Sequence, residues 1–277
     1  MSFDVFAIIM LGAALHATWN AVVKGGDDKL LTTCMITAFA ALLALAIIPF
    51  LDVPARASWP FIGASAILQV LYFVLVASTY RIADMSQTYP IMRGTAPLLV
   101  ATVSVFLLSE SLSAFAWAGI AVISIGILSM AAAPSTGQRK GLTLALVNAG
   151  VIAAYTLIDG LGVRNSAAPA AYTLWIFLLT AIPLAAWALG TRRYAFCRYV
   201  AGNWRAGIVG GVGTAASYGL ALWAMTAAPI ATVSALRETS ILFGVVISAL
   251  VLKEQLTRVR IVAACIIAAG AMVLRLG

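Results

Sequence analysis

Apolar runs of about twenty residues follow one another along almost the whole chain, and short polar turns separate them. Such a run crosses roughly 30 Å of hydrocarbon as an α-helix rising 1.5 Å per residue. With 63% hydrophobic and 9% charged residues in 277 positions, and a mean hydropathy of +1.06, the chain has more apolar surface than a soluble core could bury. Backbone groups in lipid must be satisfied within their own segment, and no series of short alternating strands suggests a barrel. The sequence therefore predicts an all-α membrane protein with ten transmembrane helices.

A pattern built around one arginine inside an apolar helix occurs twice. Arg237 lies 144 positions after Arg93, and the same offset relates Gly270 to Gly126. The chain is therefore predicted to be a tandem duplication, with a first repeat at 1–133, a linker at 134–141 and a second repeat at 142–277. Five helices per repeat is an odd number, which would place two inverted five-helix repeats in the membrane. Repeats of this kind are typical of secondary transporters.

Basic residues predict the orientation, because cytoplasmic loops carry an excess of lysine and arginine. The turns after the odd-numbered predicted helices hold twelve basic residues, whereas the other side holds only Arg56, Arg164 and Arg275. Both termini are therefore predicted to be periplasmic in a multi-pass protein of the bacterial inner membrane, in contact with membrane lipid. The net charge of +8 does not indicate a nucleic-acid partner, since the basic residues stand singly or in short groups at the ends of apolar runs.

Charged residues inside predicted spans need a reason, and they are candidate substrate contacts. Arg93 and Arg237 lie near the middle of the fourth and ninth predicted helices, and Glu238 follows Arg237. Arginine matches a carboxylate with two hydrogen bonds, and a glutamate could receive an ammonium, so the set suits a zwitterion. The alternative is structural: Glu238 neutralises one or both arginines and locks the repeats together.

Polar and aromatic stripes mark four further helices that would face the interior. Their members recur at helical spacing and are paired between the repeats. Interhelical hydrogen bonding, or an aromatic belt for Tyr80 and Trp223, is the alternative for any single member. Tyr89, at the start of the fourth helix, is added to these stripes as a further candidate. The candidate substrate residues outside the charged set are therefore His16, Trp19, Asn20, Tyr72, Tyr80, Tyr89, Tyr155, Tyr218 and Trp223.

Glycines and prolines add two expectations. Pro90, Gly94 and Pro97 interrupt the fourth predicted helix, which predicts a kink or hinge there. The fifth and tenth predicted helices carry small residues and scarcely any polar ones, so they are either packing helices or a dimer face. The protein is expected to be a monomer or a homodimer.

The paired blocks L-L-S-E-S-L and L-V-L-K-E-Q-L, with A-L-H-A-T-W-N-A-V-V-K in the first helix, resemble the EamA-type proteins of the drug/metabolite transporter superfamily. The resemblance covers nearly the whole chain. It implies ten helices in two inverted repeats and export of small metabolites by alternating access around a central cavity. The aromatic and neutral amino-acid exporters of the YddG type are the nearest functional parallel, which makes neutral or aromatic amino acids the expected substrates. A transporter of the same family for a different metabolite is the alternative within this class.

Other classes of function fit less well. A membrane enzyme would need a catalytic constellation, but the chain has one histidine, no metal-ligand cluster and no acidic pair at catalytic spacing. Its three cysteines lack metal or redox spacing. The sequence therefore predicts no enzyme activity, no metal and no cofactor. A channel is a further alternative, which a saturable, substrate-competed flux would distinguish from a transporter.

Overall fold

A computed structural model describes residues 1–132, 139–250, 253 and 257–276 of the chain. Within these ranges the protein is helical and has no strand. The predicted linker lies largely outside them, and so does Glu254. The helices are α1 (Phe3–Gly25), α2 (Lys29–Ile47), α3 (Trp59–Ile82), α4 (Met85–Leu108), α5 (Ala114–Ser129), α6 (Arg139–Arg164), α7 (Pro169–Met225), α8 (Ile230–Arg237), α9 (Ser240–Leu250) and α10 (Arg258–Leu276).

Local capping explains several helix starts. Ser113, a serine just before an apolar run, is predicted from sequence to cap α5. Its Oγ accepts the backbone N–H of Ala116 at 3.1 Å, which confirms that prediction. Asp28 caps α2 by accepting the N–H groups of Leu30 and Leu31, each at 3.0 Å. Side-chain acceptors of this kind satisfy backbone donors that have no partner within the helix.

The seventh and eighth predicted helices and the loop between them differ from the prediction. They form the continuous element α7, whose 57 residues would extend roughly 86 Å, nearly three times the hydrocarbon thickness. Non-helical dihedral angles at Arg192 (φ −135°, ψ 32°) and Asn203 (φ −125°, ψ 17°) divide it into three segments. With its four arginines, the stretch 191–205 is predicted from sequence to be the longest loop of the chain. That prediction is wrong: the middle of the stretch is helical and docks Phe196 and Tyr199 against the start of α2. Phe196 is buried there, and the Tyr199 hydroxyl lies 2.7 Å from Thr32 Oγ1.

The ninth predicted helix also differs from a single continuous helix. It is divided at Glu238 and Thr239 into α8 and α9. The N–H groups of these two residues bond to Ala235 and Leu236, three positions back, at 3.1 Å each. This is the tighter 3₁₀ pattern, which in the middle of a helix often marks a functional hinge. The break places the charged pair Arg237 and Glu238 at the C-terminal end of α8.

The outer surface is strongly apolar. Phe50, Phe106 and Leu250 are 87%, 76% and 74% exposed, which suits contact with lipid rather than water. Eight helical stretches in the described ranges are long and apolar enough to cross a membrane, counting α7 as one stretch and α8 with α9 as another. These features support a multi-pass membrane protein. The count of ten spans and the inverted arrangement stay predictions, as do the repeat boundaries.

Helices of the two halves of the sequence pack directly on each other. The first-half helices α1 and α2 contact α7, and α3 and α4 contact α6. α5 crosses α10 closely: a Cβ added at Gly119 would lie 3.0 Å from the Gly270 carbonyl oxygen, and one at Gly126 would lie 3.2 Å from that of Ala263. Glycine is needed at such points because a larger side chain would push the helices apart. The cavity described next lies among these packed helices.

Candidate substrate-binding cavity

Seven helices line a cavity in the interior of the protein. Its walls combine aromatic rings, two arginines and several hydroxyl groups, as small-molecule sites commonly do. The lining residues are His16 and Trp19 (α1), Thr33, Ile36 and Thr37 (α2), Gln69, Tyr72 and Phe73 (α3), Arg93 (α4), Tyr155 (α6), Phe177, Thr180, Thr214 and Tyr218 (α7), and Arg237 (α8).

Arg93 is buried and held by two neighbours. Its Nε lies 2.9 Å from Glu238 Oε2, and both side chains are almost fully buried, at 6% and 5% exposure. The N–H is not aligned with the carboxylate oxygen, so the contact is an ion pair without a directed hydrogen bond. Arg93 Nη2 lies 3.3 Å from His16 Nε2. Because a guanidinium can only donate, His16 Nε2 must accept, which places the imidazole proton on Nδ1. The charge of Arg93 is thus balanced within the protein.

Arg237 has a different environment. Its Cζ lies 4.9 Å from the centroid of the Tyr218 ring, a cation–π contact. Among the described residues it makes no ion pair with a carboxylate. It is buried and lines the cavity, so its positive charge is turned toward whatever occupies that space. This is the clearest chemical asymmetry between the two arginines.

A chain of aromatic rings forms one wall. Tyr72 stacks edge-on against Tyr155 at a centroid distance of 6.0 Å, Tyr155 against Tyr218 at 6.5 Å, and Phe177 against Tyr218 at 6.1 Å. Edge-to-face pairs of this kind hold rings in fixed orientations while exposing apolar area. The wall offers a preformed surface for an apolar group.

Apart from Arg93 Nε, which has its ion pair with Glu238, two buried polar atoms of the lining residues have no hydrogen-bond partner among the described residues. They are Trp19 Nε1 and Thr180 Oγ1. An unpaired buried donor costs about 1–3 kcal/mol, so a molecule with acceptor atoms in the cavity would recover that free energy. Together with Arg237, these groups favour a ligand that carries oxygen acceptors.

Asp159 lies behind the cavity wall and is fully buried on α6. Its Oδ2 accepts the Ser65 hydroxyl at 2.8 Å and the Tyr218 hydroxyl, and its Oδ1 accepts the Tyr172 hydroxyl at 3.2 Å. Gln69 Nε2 in turn donates to Ser65 Oγ at 3.2 Å. The carboxylate is therefore linked to two cavity-lining residues, Tyr218 and Gln69. The sequence placed Asp159 on the stripe of Tyr155 but did not single it out.

The structure brings seven of the predicted site residues to the cavity: His16, Trp19, Tyr72, Arg93, Tyr155, Tyr218 and Arg237. Five others are not in the lining. Glu238 pairs with Arg93 outside the lining. Asn20 donates to the carbonyl of His16 in its own helix at 2.7 Å, and Trp223 is 40% exposed on the outer surface. Tyr80 and Tyr89 are half-buried elsewhere on α3 and α4.

Sequence reasoning missed the contributions of α2 and of the first part of α7. Thr33, Ile36 and Thr37 share one face of α2, and Phe177 and Thr180 share one face of α7. In an otherwise apolar helix, hydroxyls at a spacing of four, as in Thr33 and Thr37, were the signal that could have identified that face. α4 is continuous α-helix through Pro90, Gly94 and Pro97. A kink at these residues stays a prediction. The regular helix is broken at Glu238 and Thr239, in the corresponding part of the other half.

Glu110 has a role that the sequence did not predict. Its carboxylate oxygens accept the N–H of Ile230, the first residue of α8, at 3.2 and 3.1 Å, and pair with Arg164 Nη2 at 2.8 Å. Arg164 also donates to the carbonyls of Met225 and Ala228 at 2.8 and 3.0 Å. An acidic group is favourable at a helix N-terminus. The end of α4 is thereby fastened to the α7–α8 turn and to α6.

Nothing in the described ranges resembles a metal centre, since no group of three or more His, Cys, Asp or Glu side chains comes together there. The polar side chains among the described lining residues are amide, hydroxyl, imidazole, indole and guanidinium groups. The arrangement can bind and orient a small molecule.

Comparison with known proteins identifies the second half of the chain. Residues 139–276 match the EamA-like transporter family. The comparison with curated proteins found no significant match. A solved structure described as "Crystal structure of protein" superposes with a TM-score of 0.78 at 16% sequence identity, covering 100% of this chain and 98% of the other. At that identity the likeness establishes a shared fold.

Proposed function

We propose that this chain, whose second half carries an EamA-like transporter domain, is a membrane transporter of small metabolites, and that its substrates are neutral or aromatic amino acids. The family consists of transporters, which favours transport over a membrane enzyme. The observation that carries the substrate class is Arg237, a buried cation that faces the cavity while Arg93 is balanced by Glu238. A guanidinium in this position suits a carboxylate, which it can bind through two hydrogen bonds.

The aromatic wall indicates which kind of side chain the substrate carries. Tyr72, Tyr155, Phe177 and Tyr218 provide apolar area with few polar handles, which favours an apolar or aromatic side chain and a broad range of substrates. Trp19 Nε1 and Thr180 Oγ1 would add hydrogen bonds to the polar end. An ammonium group has a less obvious partner, because Glu238 is held by Arg93. We expect the carboxylate to contribute more to binding than the ammonium.

Alternating access is the mechanism we propose, because the α5–α10 contact has the symmetry it needs. Gly119 approaches Gly270, and Gly126 approaches Ala263. Position 263 lies 144 after 119, and position 270 lies 144 after 126. Each contact therefore joins the same two repeat positions, and the two contacts differ only in which helix supplies which position. A two-fold axis between antiparallel helices produces this reciprocity. Inverted repeats related in this way could open the cavity to one side of the membrane and then to the other.

The test is substrate flux in liposomes that contain the purified protein. We expect saturable uptake and counterflow of labelled L-phenylalanine, competed by other neutral amino acids. Phenylacetate, which keeps the carboxylate, should compete measurably, whereas phenethylamine, which lacks it, should not. Placing labelled substrate either inside or outside the liposomes would also give the direction of net movement, for which we propose export. If the parent protein carried phenethylamine as well as phenylalanine, the carboxylate argument would be wrong.

Arg237→Gln should reduce phenylalanine flux at least tenfold, because it removes the positive charge and leaves a neutral amide. Arg275→Gln is the matched control. Arg275 also makes a cation–π contact, with Phe6 at 5.8 Å, but lies outside the cavity, so its loss should change flux less than twofold. Both variants must first elute as single, monodisperse peaks in detergent. Parent-like flux in a well-folded Arg237→Gln variant would leave Arg237 with a structural role only.

A further inference from the structure

Asp159 differs from three other carboxylates of the described ranges, each of which pairs with an arginine. Glu238 pairs with Arg93, Glu110 with Arg164, and Asp28 with Arg192. Asp159 is fully buried, yet within the described ranges no basic side chain lies at ion-pair distance from it. An ionised carboxylate buried in a membrane helix without a counter-ion costs several kcal/mol. Binding a proton removes that cost.

The surroundings of Asp159 suit a carboxyl that gains and loses a proton in place. Its three described hydrogen-bond partners, Ser65, Tyr172 and Tyr218, are all hydroxyls. A hydroxyl can donate or accept, so the cluster can solvate the carboxylate with three donors. It can equally accept one hydrogen bond from the protonated acid after one hydroxyl rotates. The distances to Ser65 and Tyr172, 2.8 and 3.2 Å, are those of direct hydrogen bonds and leave no space for a metal cation between the oxygens.

Tyr218 connects this carboxyl to the cavity. Its ring lines the cavity beneath Arg237, while its hydroxyl donates to Asp159 Oδ2. A proton can therefore pass in one concerted step: the Tyr218 hydroxyl gives its proton to Asp159, and the Tyr218 oxygen takes one from a hydronium ion that enters the cavity and leaves as water. Tyr218 is unchanged at the end, and Asp159 has gained the proton. The second connection, through Gln69 and Ser65, begins with an amide and cannot pass protons in this way.

The other titratable or charged groups near Asp159 come from α6 itself and from helices packed against it, α3, α4, α7 and α8. They are Tyr72, Arg93, Tyr155, Tyr172, Tyr218 and Arg237. Tyrosine and arginine ordinarily keep their protons near neutral pH, and Arg93 is balanced by Glu238. Asp159 is therefore the group of this set that changes charge, and Arg237, one ring away, is the cation that responds to it.

From this geometry we infer that Asp159 is a proton-binding site, loaded from the cavity through Tyr218, and that proton binding and substrate binding assist each other. While Asp159 is ionised, its charge offsets that of Arg237. When Asp159 is protonated, the wall has a net positive charge, which favours the substrate carboxylate. Substrate and proton then cross the membrane together and in the same direction. Net export by this symport requires an outward substrate gradient that outweighs any inward proton gradient. The coupling rests on the proposed transport function, whereas the proton site itself does not.

The first experiment needs no substrate. Infrared difference spectra of the purified protein between high and low pH should contain a band from a buried protonated carboxyl. Asp159→Asn, an uncharged isostere, should lose this band, and Asp52→Asn, a change at an exposed carboxylate, should retain it. Tyr218→Phe removes one hydrogen bond from Asp159 and should shift the band. An unchanged band in Asp159→Asn would overturn the proton site. If Asp159→Asn does not fold, an unchanged band in Tyr218→Phe would overturn it.

The second experiment tests coupling in liposomes with a pH difference and labelled L-phenylalanine. One coupled proton supports up to about tenfold accumulation per pH unit. Asp159→Asn should keep counterflow, which needs no net proton movement, and its accumulation ratio should fall to about one. A variant that lost counterflow and accumulation equally would indicate a structural role for Asp159, and one that accumulated as the parent does would refute coupling. If the parent carried no phenylalanine, the transport proposal would fail while the infrared result still decided the proton site.

Discussion

Breaking the Arg93–Glu238 ion pair should destabilise the protein much more than breaking an exposed pair. Both side chains are almost fully buried, and their charged atoms are 2.9 Å apart. Removing one member of a buried pair leaves an uncompensated charge, which costs about 3–5 kcal/mol. For a chain of this length, that corresponds to a fall in melting temperature of roughly 5–9 °C. Glu238→Met and Arg93→Met should each show a loss of this size.

The double variant Arg93→Met/Glu238→Met is the informative measurement. With both charges gone, neither member of the pair is left buried without the other, so the double variant should be more stable than the sum of the single losses predicts, by about 2 kcal/mol or more. Melting would be followed by the loss of monodisperse protein in detergent over a temperature series. The exposed pair provides the control: Arg192→Gln breaks a contact between side chains 50% and 36% exposed and should cost no more than about 1 kcal/mol. Additive losses in the double variant would refute the reasoning.

Three further predictions follow from packing, capping and charge. Gly119→Ala would place a methyl group 2.9 Å from a backbone nitrogen of α10 and should cost about 1–3 kcal/mol in the same melting assay, whereas Gly63→Ala, with nothing within 4 Å, should be neutral or slightly stabilising. Ser113→Ala removes the α5 cap and should cost about 0.5–2 kcal/mol, and Ser113→Thr should restore most of it. A C-terminal fusion to a reporter active only in the cytoplasm should give no signal if both termini are periplasmic, and a bright fusion would reverse the predicted orientation.

Local sequence signals predicted the parts of the fold that local physics determines. Apolar runs interrupted by polar turns located α1 to α6, and Ser113 was identified as a cap because a side-chain acceptor before a helix has one main use. Charges inside apolar helices led to Arg93 and Arg237, since burying a charge has to be compensated. Aromatic stripes led to Tyr72, Tyr155 and Tyr218.

Features that depend on tertiary packing could not be read in this way. The helical segment between Arg192 and Asn203 is rich in arginine and resembles a loop, but it is stabilised by docking Phe196 and Tyr199 on α2. No proline or glycine at Glu238 or Thr239 predicts the break there, whereas α4, which contains both residue types, is continuous. Tertiary contacts outweigh local backbone preference at such positions.

The reciprocal contact between α5 and α10 bears on how the chain could have diverged. In a half-length ancestor that paired with a second copy of itself, the residues now at 119 and 263 would have been one position, present twice in the interface. Any substitution there would have altered both contacts at once. After duplication and fusion the two copies would have become independent, and the two positions now differ, with glycine at 119 and alanine at 263. One side of the crossing could therefore be adjusted while the other preserved its closest approach, a freedom that a symmetric homodimer lacks.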